Sequence, residues 1–181
     1  VLDPDLLAGA PPATVAAAGL DAFVQAFESH TSRFATPLTR ALSELALVRI
    51  SRALLPLYRG DASAAADMLE ASYIAGVALS HARLGVIHGL AHPFGARFGL
   101  PHGLVCALCL PAALAFNRPF IQRDLADLKA RYGLDVEAQV AAWLDAMSLP
   151  RALAGRTVPD REAFIRETLA SGSTSANPRT V

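Results

Sequence analysis

The chain has 181 residues, enough for one domain with a real core, and its 16 basic and 16 acidic residues give a formal net charge of zero. That balance leaves no basic stripe for nucleic acid and no acidic tail. The 53% share of hydrophobic residues and a mean hydropathy of +0.36 predict large buried surfaces, between helices or against a further domain.

Residues 1–10 read as a connector, with VLDPDLL the end of a strand running into a loop. Pro11-Pro12 opens a helix, because a first turn does not need the N–H that proline lacks, and Gly19 marks a break. The next segment, LDAFVQAFESHTSR, places Leu20, Phe23, Val24 and Phe27 on an apolar side. Asp21, Gln25 and Glu28 follow at i, i+4 and i+7 on one face. Asp21 has two readings, an N-cap after Gly19 or a metal ligand. Thr36-Pro37 is an N-cap followed by proline at the first helical position, and its helix runs to Pro56–Gly60. Asp61 caps a long helix to about Arg83, where Ala71, Ser72, Ala75, Gly76 and Ala78 let a neighbour approach closely; Met68 and Tyr73 read as packing residues.

Residues 85–103, GVIHGLAHPFGARFGLPHG, hold His88, His92 and His102, three of the chain's five histidines, among closely spaced glycines and prolines. At about 1 kcal/mol per interior Gly and about 3 per Pro, this predicts a kinked helix, a tight turn and a second helix from Pro101. His88 and His92 are four apart and share one helix face. Together they hold a divalent metal, or one holds it while the other faces a substrate. Gly89 stands where the zinc-protease motif H-E-x-x-H has Glu. Three unrelated histidines in a helical core are the plain alternative.

Leu104–Asn117 is apolar all round, which predicts a buried helix, kinked at Pro111 and ended by Arg118-Pro119. The apolar run Gly103–Phe116 is too short to span a bilayer, and no secretory leader pattern opens the chain. Cys106 and Cys109 sit three apart in LVCALCLP. Their apolar setting predicts buried free thiols rather than a redox pair, in a reducing, cytoplasmic setting. Phe120–Tyr132 and Val136–Met147 are shorter helices separated by Gly133, with Trp143 packed on the bundle. Pro150 to Pro159 reads as a loop, and Asp160 caps a last helix, Arg161–Ala170. The pattern is all-α, a bundle of about eight helices. Both ends, Val1 and SGSTSANPRTV, read as cut from a longer protein.

The stretches GLDAFVQAFE (19–28), AGVA (75–78), GVIHGLAHPFG…LPHG (85–103) and LPAALAFN (110–117) resemble the iron-containing (group III) alcohol dehydrogenases. The resemblance implies that residues 1–181 are the C-terminal helical domain of the dehydroquinate synthase-like fold, without the N-terminal α/β domain that binds most of the NAD or NADP. It implies a metal, Fe²⁺ or Zn²⁺, held by Asp21, His88, His102 and the residue four after the Asp. The family has His there and this chain has Gln25, a neutral, weaker ligand. Glu28, one turn on, is a further donor within reach. His92 corresponds to the histidine that faces nicotinamide and substrate, a candidate in the proton relay. The implied reaction is hydride transfer between a nicotinamide and a small alcohol or aldehyde, in a homo-oligomer with no nucleic-acid or membrane partner. Gln25 also admits a metal-independent reductase of the maleylacetate type. A third reading, from hydropathy and the absent nucleotide domain, is a non-catalytic helical interaction module.

Overall fold

A computed structural model describes residues 1–150, 155 and 157–181. Its helices are α1 (Pro12–Thr31), α2 (Pro37–Tyr58), α3 (Ala65–Ala82), α4 (Val86–Phe98), α5 (His102–Tyr132), α6 (Val136–Ala146) and α7 (Arg161–Ala170), with 3₁₀ turns at Pro4–Leu7, Ala62–Ala64 and Thr174–Ala176. Among the described residues there is no strand and the α-helices number seven, an all-α bundle as expected. Pro4–Leu7 is a 3₁₀ turn capped by Asp3, not the end of a strand. The loop expected between Pro150 and Pro159 lies in part outside the described residues.

Two helices run through breakers. α1 continues past Gly19, so Asp21 lies in mid-helix and is no N-cap. A Cβ on Gly19 would stand 2.2 Å from Leu54 Cδ1, so the glycine is what lets α1 and α2 cross closely. Its helical penalty of about 1 kcal/mol is small beside about 1.5–3 kcal/mol for each buried large side chain; Leu20, Phe23, Val24 and Phe27 are all buried. α5 likewise carries both Pro111 and Pro119 inside one 31-residue helix, so Arg118-Pro119 does not end it. Leu110, Leu114, Ile121 and Leu128 are buried along its length, and their packing outweighs the prolines on the same arithmetic. By length and composition α5 is apolar enough to cross a membrane; here its apolar residues pack against α1 and α4.

α1 sits centrally, against α2, α3 and α5. Trp143 of α6 meets Phe23 of α1 edge to face at 4.9 Å. Ala71, Ala75 and Ala78 bury the small-residue face of α3. Met68 is buried as expected, but Tyr73 is 59% exposed and does not pack. Thr36 and Thr39 form a reciprocal capping box on α2, and Asp160 caps α7 through Ala163 N–H. Arg97 of α4 grips Glu167 of α7 with two bonds of 2.7 Å.

Two close approaches generate predictions. At Gly103 the start of α5 lies so near α1 that a Cβ would stand 1.8 Å from the Ala17 carbonyl oxygen. Backbone cannot yield as a side-chain tip does, so Gly103→Ala is expected to cost about 1–3 kcal/mol, read by urea unfolding. His30 of α1 is buried, its Nδ1 makes no hydrogen bond, and its Nε2 lies 3.9 Å from Asp124, which also pairs with Arg40. Burial pushes its pKa down despite Asp124. Below pH about 6.5 the unfolded chain therefore binds a proton that the folded chain refuses, so this histidine lowers stability as pH falls. His30→Gln is expected to flatten the decline of unfolding free energy between pH about 6.5 and 5 relative to the parent chain.

Candidate metal centre

Three helices bring the site together. α1 supplies Asp21, α4 supplies His88 and α5 supplies His102. The chain leaves α3 through Arg83 at φ +61°, and α4 sets off at 108° to the helix before it. That bend aims the first turn of α4 at Glu28 of α1. The Glu28 carboxylate accepts from Ile87 N–H at 2.7 Å and His88 N–H at 3.3 Å, while Asn177 Oδ1 accepts from Val86 N–H at 3.1 Å. These partners satisfy three of the N–H groups that a helix start leaves open, and an anion there complements the helix dipole. Glu28 also lies 2.7 Å from His88 Nδ1. A carboxylate only accepts, so Nδ1 carries the proton, and neutral His88 presents a bare Nε2 lone pair.

That lone pair faces Asp21. Asp21 Oδ1 lies 3.3 Å from His88 Nε2 and 3.5 Å from His102 Nε2, is buried, and has no hydrogen-bond partner. Cys106 Sγ lies 3.8 Å from His88 Nε2 and 3.7 Å from His102 Nε2. One donor atom from each of Asp21, His88, His102 and Cys106 falls within 4.8 Å of the other three. Lone pairs converging without protons between them are what a cation resolves, so this donor set fits a divalent metal. Without one, a proton fills the role. Burial alone would lower the His88 pKa, but Asp21, Cys106 and Glu28 reverse this and raise it to about 12. Burial likewise favours protonated Asp21, and its contacts with His88 and His102 overcome that and hold its pKa down.

Asp21, His88 and His102, the three residues that the family resemblance implied, are brought together. Gln25 enters through its nitrogen, donating to Asp21 Oδ2 at 2.7 Å. An amide nitrogen is not a metal donor, so in this arrangement Gln25 orients the carboxylate instead of replacing the expected imidazole. Glu28 holds the back of His88 and adds no oxygen to the cluster. His92 is exposed, with its ring 4.9 Å from that of His102, on a surface shared with Leu84, Ser171 and Ser173. Both cysteines are free and buried, as expected. The sequence reading missed Cys106 as a member of the cluster, although His102 and Cys106 are four apart and share a face of α5.

This all-helical domain gathers histidines and a carboxylate from three helices around one point, a donor set that could hold a metal ion. Residues 15–164 match the model of the Fe-containing alcohol dehydrogenase family, C-terminal part, and the chain belongs to that family. It is 38% identical over 136 residues to lactaldehyde reductase of Escherichia coli (strain K12), an alignment covering 75% of this chain and 36% of that protein. It superposes on a 1,3-propanediol oxidoreductase with a TM-score of 0.91 and 29% identity, over 98% of this chain and 50% of the other. The iron-containing alcohol dehydrogenase of Thermococcus thioreducens gives a TM-score of 0.87 at 29% identity, over 99% and 50%. The chain thus spans about a third to a half of the length of these relatives.

If the Glu28 contact fixes the His88 tautomer for a metal, Glu28→Gln is expected to lower metal affinity by about 10–100-fold, as loss of such outer contacts does. Chelator competition measures this. Far-ultraviolet circular dichroism should stay unchanged, because the amide oxygen still accepts from the α4 start.

Proposed function

We propose that this chain is the helical, metal-holding part of an NAD(P)-linked alcohol dehydrogenase acting on small alcohols or aldehydes. The observation that carries the reading is Asp21 Oδ1, buried without a hydrogen bond between the Nε2 atoms of His88 and His102. Asp21, His88 and His102 would hold Fe²⁺ or Zn²⁺, with Gln25 bracing Asp21. The metal supplies Lewis-acid polarisation of an alcohol or carbonyl oxygen, and NAD or NADP supplies or takes the hydride. The nicotinamide dinucleotide is bound mainly by an α/β domain that these 181 residues do not include.

The chain's own contribution is placement and proton handling. Glu28 fixes the tautomer of His88. His92 stands at the solvent edge beside His102 and passes a proton between substrate oxygen and water, a step geometry of this kind serves well. The exposed apolar side chains Leu6, Leu38 and Phe120 fit contact with a further domain or a second copy of the chain. Two unpaired cysteines fit a reducing, cytoplasmic setting.

Metal content tests the reading. The chain is purified anaerobically, loaded with Fe²⁺ or Zn²⁺, and its metal counted beside a His88→Ala control. About one equivalent per chain, lost in the control, is the expected result. A folded chain that takes up no metal would overturn it, and would favour the metal-independent reductase that Gln25 admits.

A further inference from the structure

We propose that Cys106 is a ligand of this metal, taking as a thiolate the coordination place that Gln25 leaves, and that it turns the site towards Zn²⁺ in preference to Fe²⁺. The inference rests on the reading that the cluster holds a divalent metal.

Position is the first argument. Cys106 is one turn after His102 on the same face of α5, is fully buried, and its sulfur contacts both imidazole nitrogens of the cluster. Size is the second. With zinc bonds of about 2.0–2.1 Å to nitrogen, 2.0–2.2 Å to oxygen and 2.3 Å to sulfur, a tetrahedral site has N–O edges of about 3.3–3.5 Å and N–S edges of about 3.5–3.6 Å. The observed N–O separations are 3.3 and 3.5 Å, and the N–S separations are 3.7 and 3.8 Å. Four of the six edges thus lie within about 0.3 Å of those of a zinc-sized tetrahedron, and all four atoms fall within 4.8 Å of one another. Chemistry is the third. Gln25 offers Asp21 a nitrogen, so α1 contributes one donor where the family pattern has two. A thiolate is soft and favours Zn²⁺, whose place above Fe²⁺ in the divalent series adds to the preference. On binding, the S–H bond breaks, the sulfur keeps the electron pair as a metal bond, and the proton leaves to solvent.

Cobalt(II) reports on sulfur ligation, because a thiolate on Co²⁺ gives a charge-transfer band in the near ultraviolet. The 181-residue chain is loaded anaerobically with Co²⁺ beside Cys106→Ser, Cys109→Ser and His88→Ala. The band is expected in the parent and in Cys109→Ser and absent in Cys106→Ser. Zinc affinity by chelator competition should fall in Cys106→Ser by more than the roughly 10–100-fold that outer contacts command. Should Cys106→Ser fail to fold, zinc-edge X-ray absorption on the unaltered chain decides, a scatterer at about 2.3 Å being sulfur. One equivalent of metal that His88→Ala abolishes, with no thiolate band, no sulfur scatterer and unchanged affinity in Cys106→Ser, would overturn the thiolate ligand and leave the dehydrogenase reading standing. Failure of the folded chain to bind Co²⁺ or Zn²⁺ at all would remove both.

Discussion

The arrangement depends on one buried carboxylate. Glu28 is 4% exposed and reaches from α1 to the first turn of α4, where it meets two backbone N–H groups and the His88 ring. An ionised carboxylate in such a place is costly unless each oxygen is partnered. Here the helix start supplies the partners, and the carboxylate in turn satisfies the helix start. Because the same oxygens also take the Nδ1 proton, the orientation of His88 is tied to the packing of α4 on α1. Structural and chemical demands are met by one group, so neither can relax without the other.

Gly85 is part of that constraint. A Cβ there would lie 2.6 Å from Glu28 Oε1 and 3.0 Å from Asn177 Oδ1. The absent side chain is therefore room for the two caps, and the helix opens only where both can reach it. Asn177 is itself locked to Asn117 of α5 by reciprocal bonds of 3.0 and 2.7 Å. The last residues of the chain thus tie α5 to α4, and the C-terminal segment that reads as a plain loop is a clamp on the site. Gly103 performs the matching service on the other side, letting α5 approach α1 until His102 stands over Asp21.

What the sequence made legible follows from range. Caps and turns are local, so Thr36 and Asp160 announced their starts correctly, whereas Asp61 caps the 3₁₀ turn Ala62–Ala64 and not the long helix, which begins at Ala65 without a side-chain cap. The crowding of Gly and Pro between Gly85 and Gly103 correctly placed a break between α4 and α5, where Gly99 takes a left-handed conformation at φ +61°. Asp21, His88 and His102 were marked by the family resemblance and do converge. Breakers misled where burial was strong: Gly19 in α1 and Pro119 in α5 are carried through by the packing around them. Glu28 reads in the sequence as a further metal donor, and its role at the α4 start is not legible there because its partners lie 59 and 60 residues away. Cys106 was read by its apolar neighbours along the chain, whereas its two polar contacts arise from a helix crossing and from a residue one turn back.

The exchange of donors also has an electrostatic side. An imidazole at the position of Gln25 would be neutral, so a divalent cation held by Asp21 and three imidazoles keeps a formal charge of +1. With a thiolate in place of one imidazole the formal charge is zero. A buried neutral centre is less costly to desolvate than a charged one, which favours retention of the metal. The same neutrality weakens the pull that the centre exerts on a substrate oxygen, because Lewis-acid polarisation grows with the uncompensated charge. With Cys106 as the proposed ligand in place of the family imidazole, the centre would trade electrophilic strength for hold on the metal. His102 lies between both regimes: its ring is 37% exposed while His88 is 3% exposed, so the open face of the cluster is on the His102 side, next to His92. On the proposed reading substrate enters there, where the His92 ring lies 4.9 Å from that of His102.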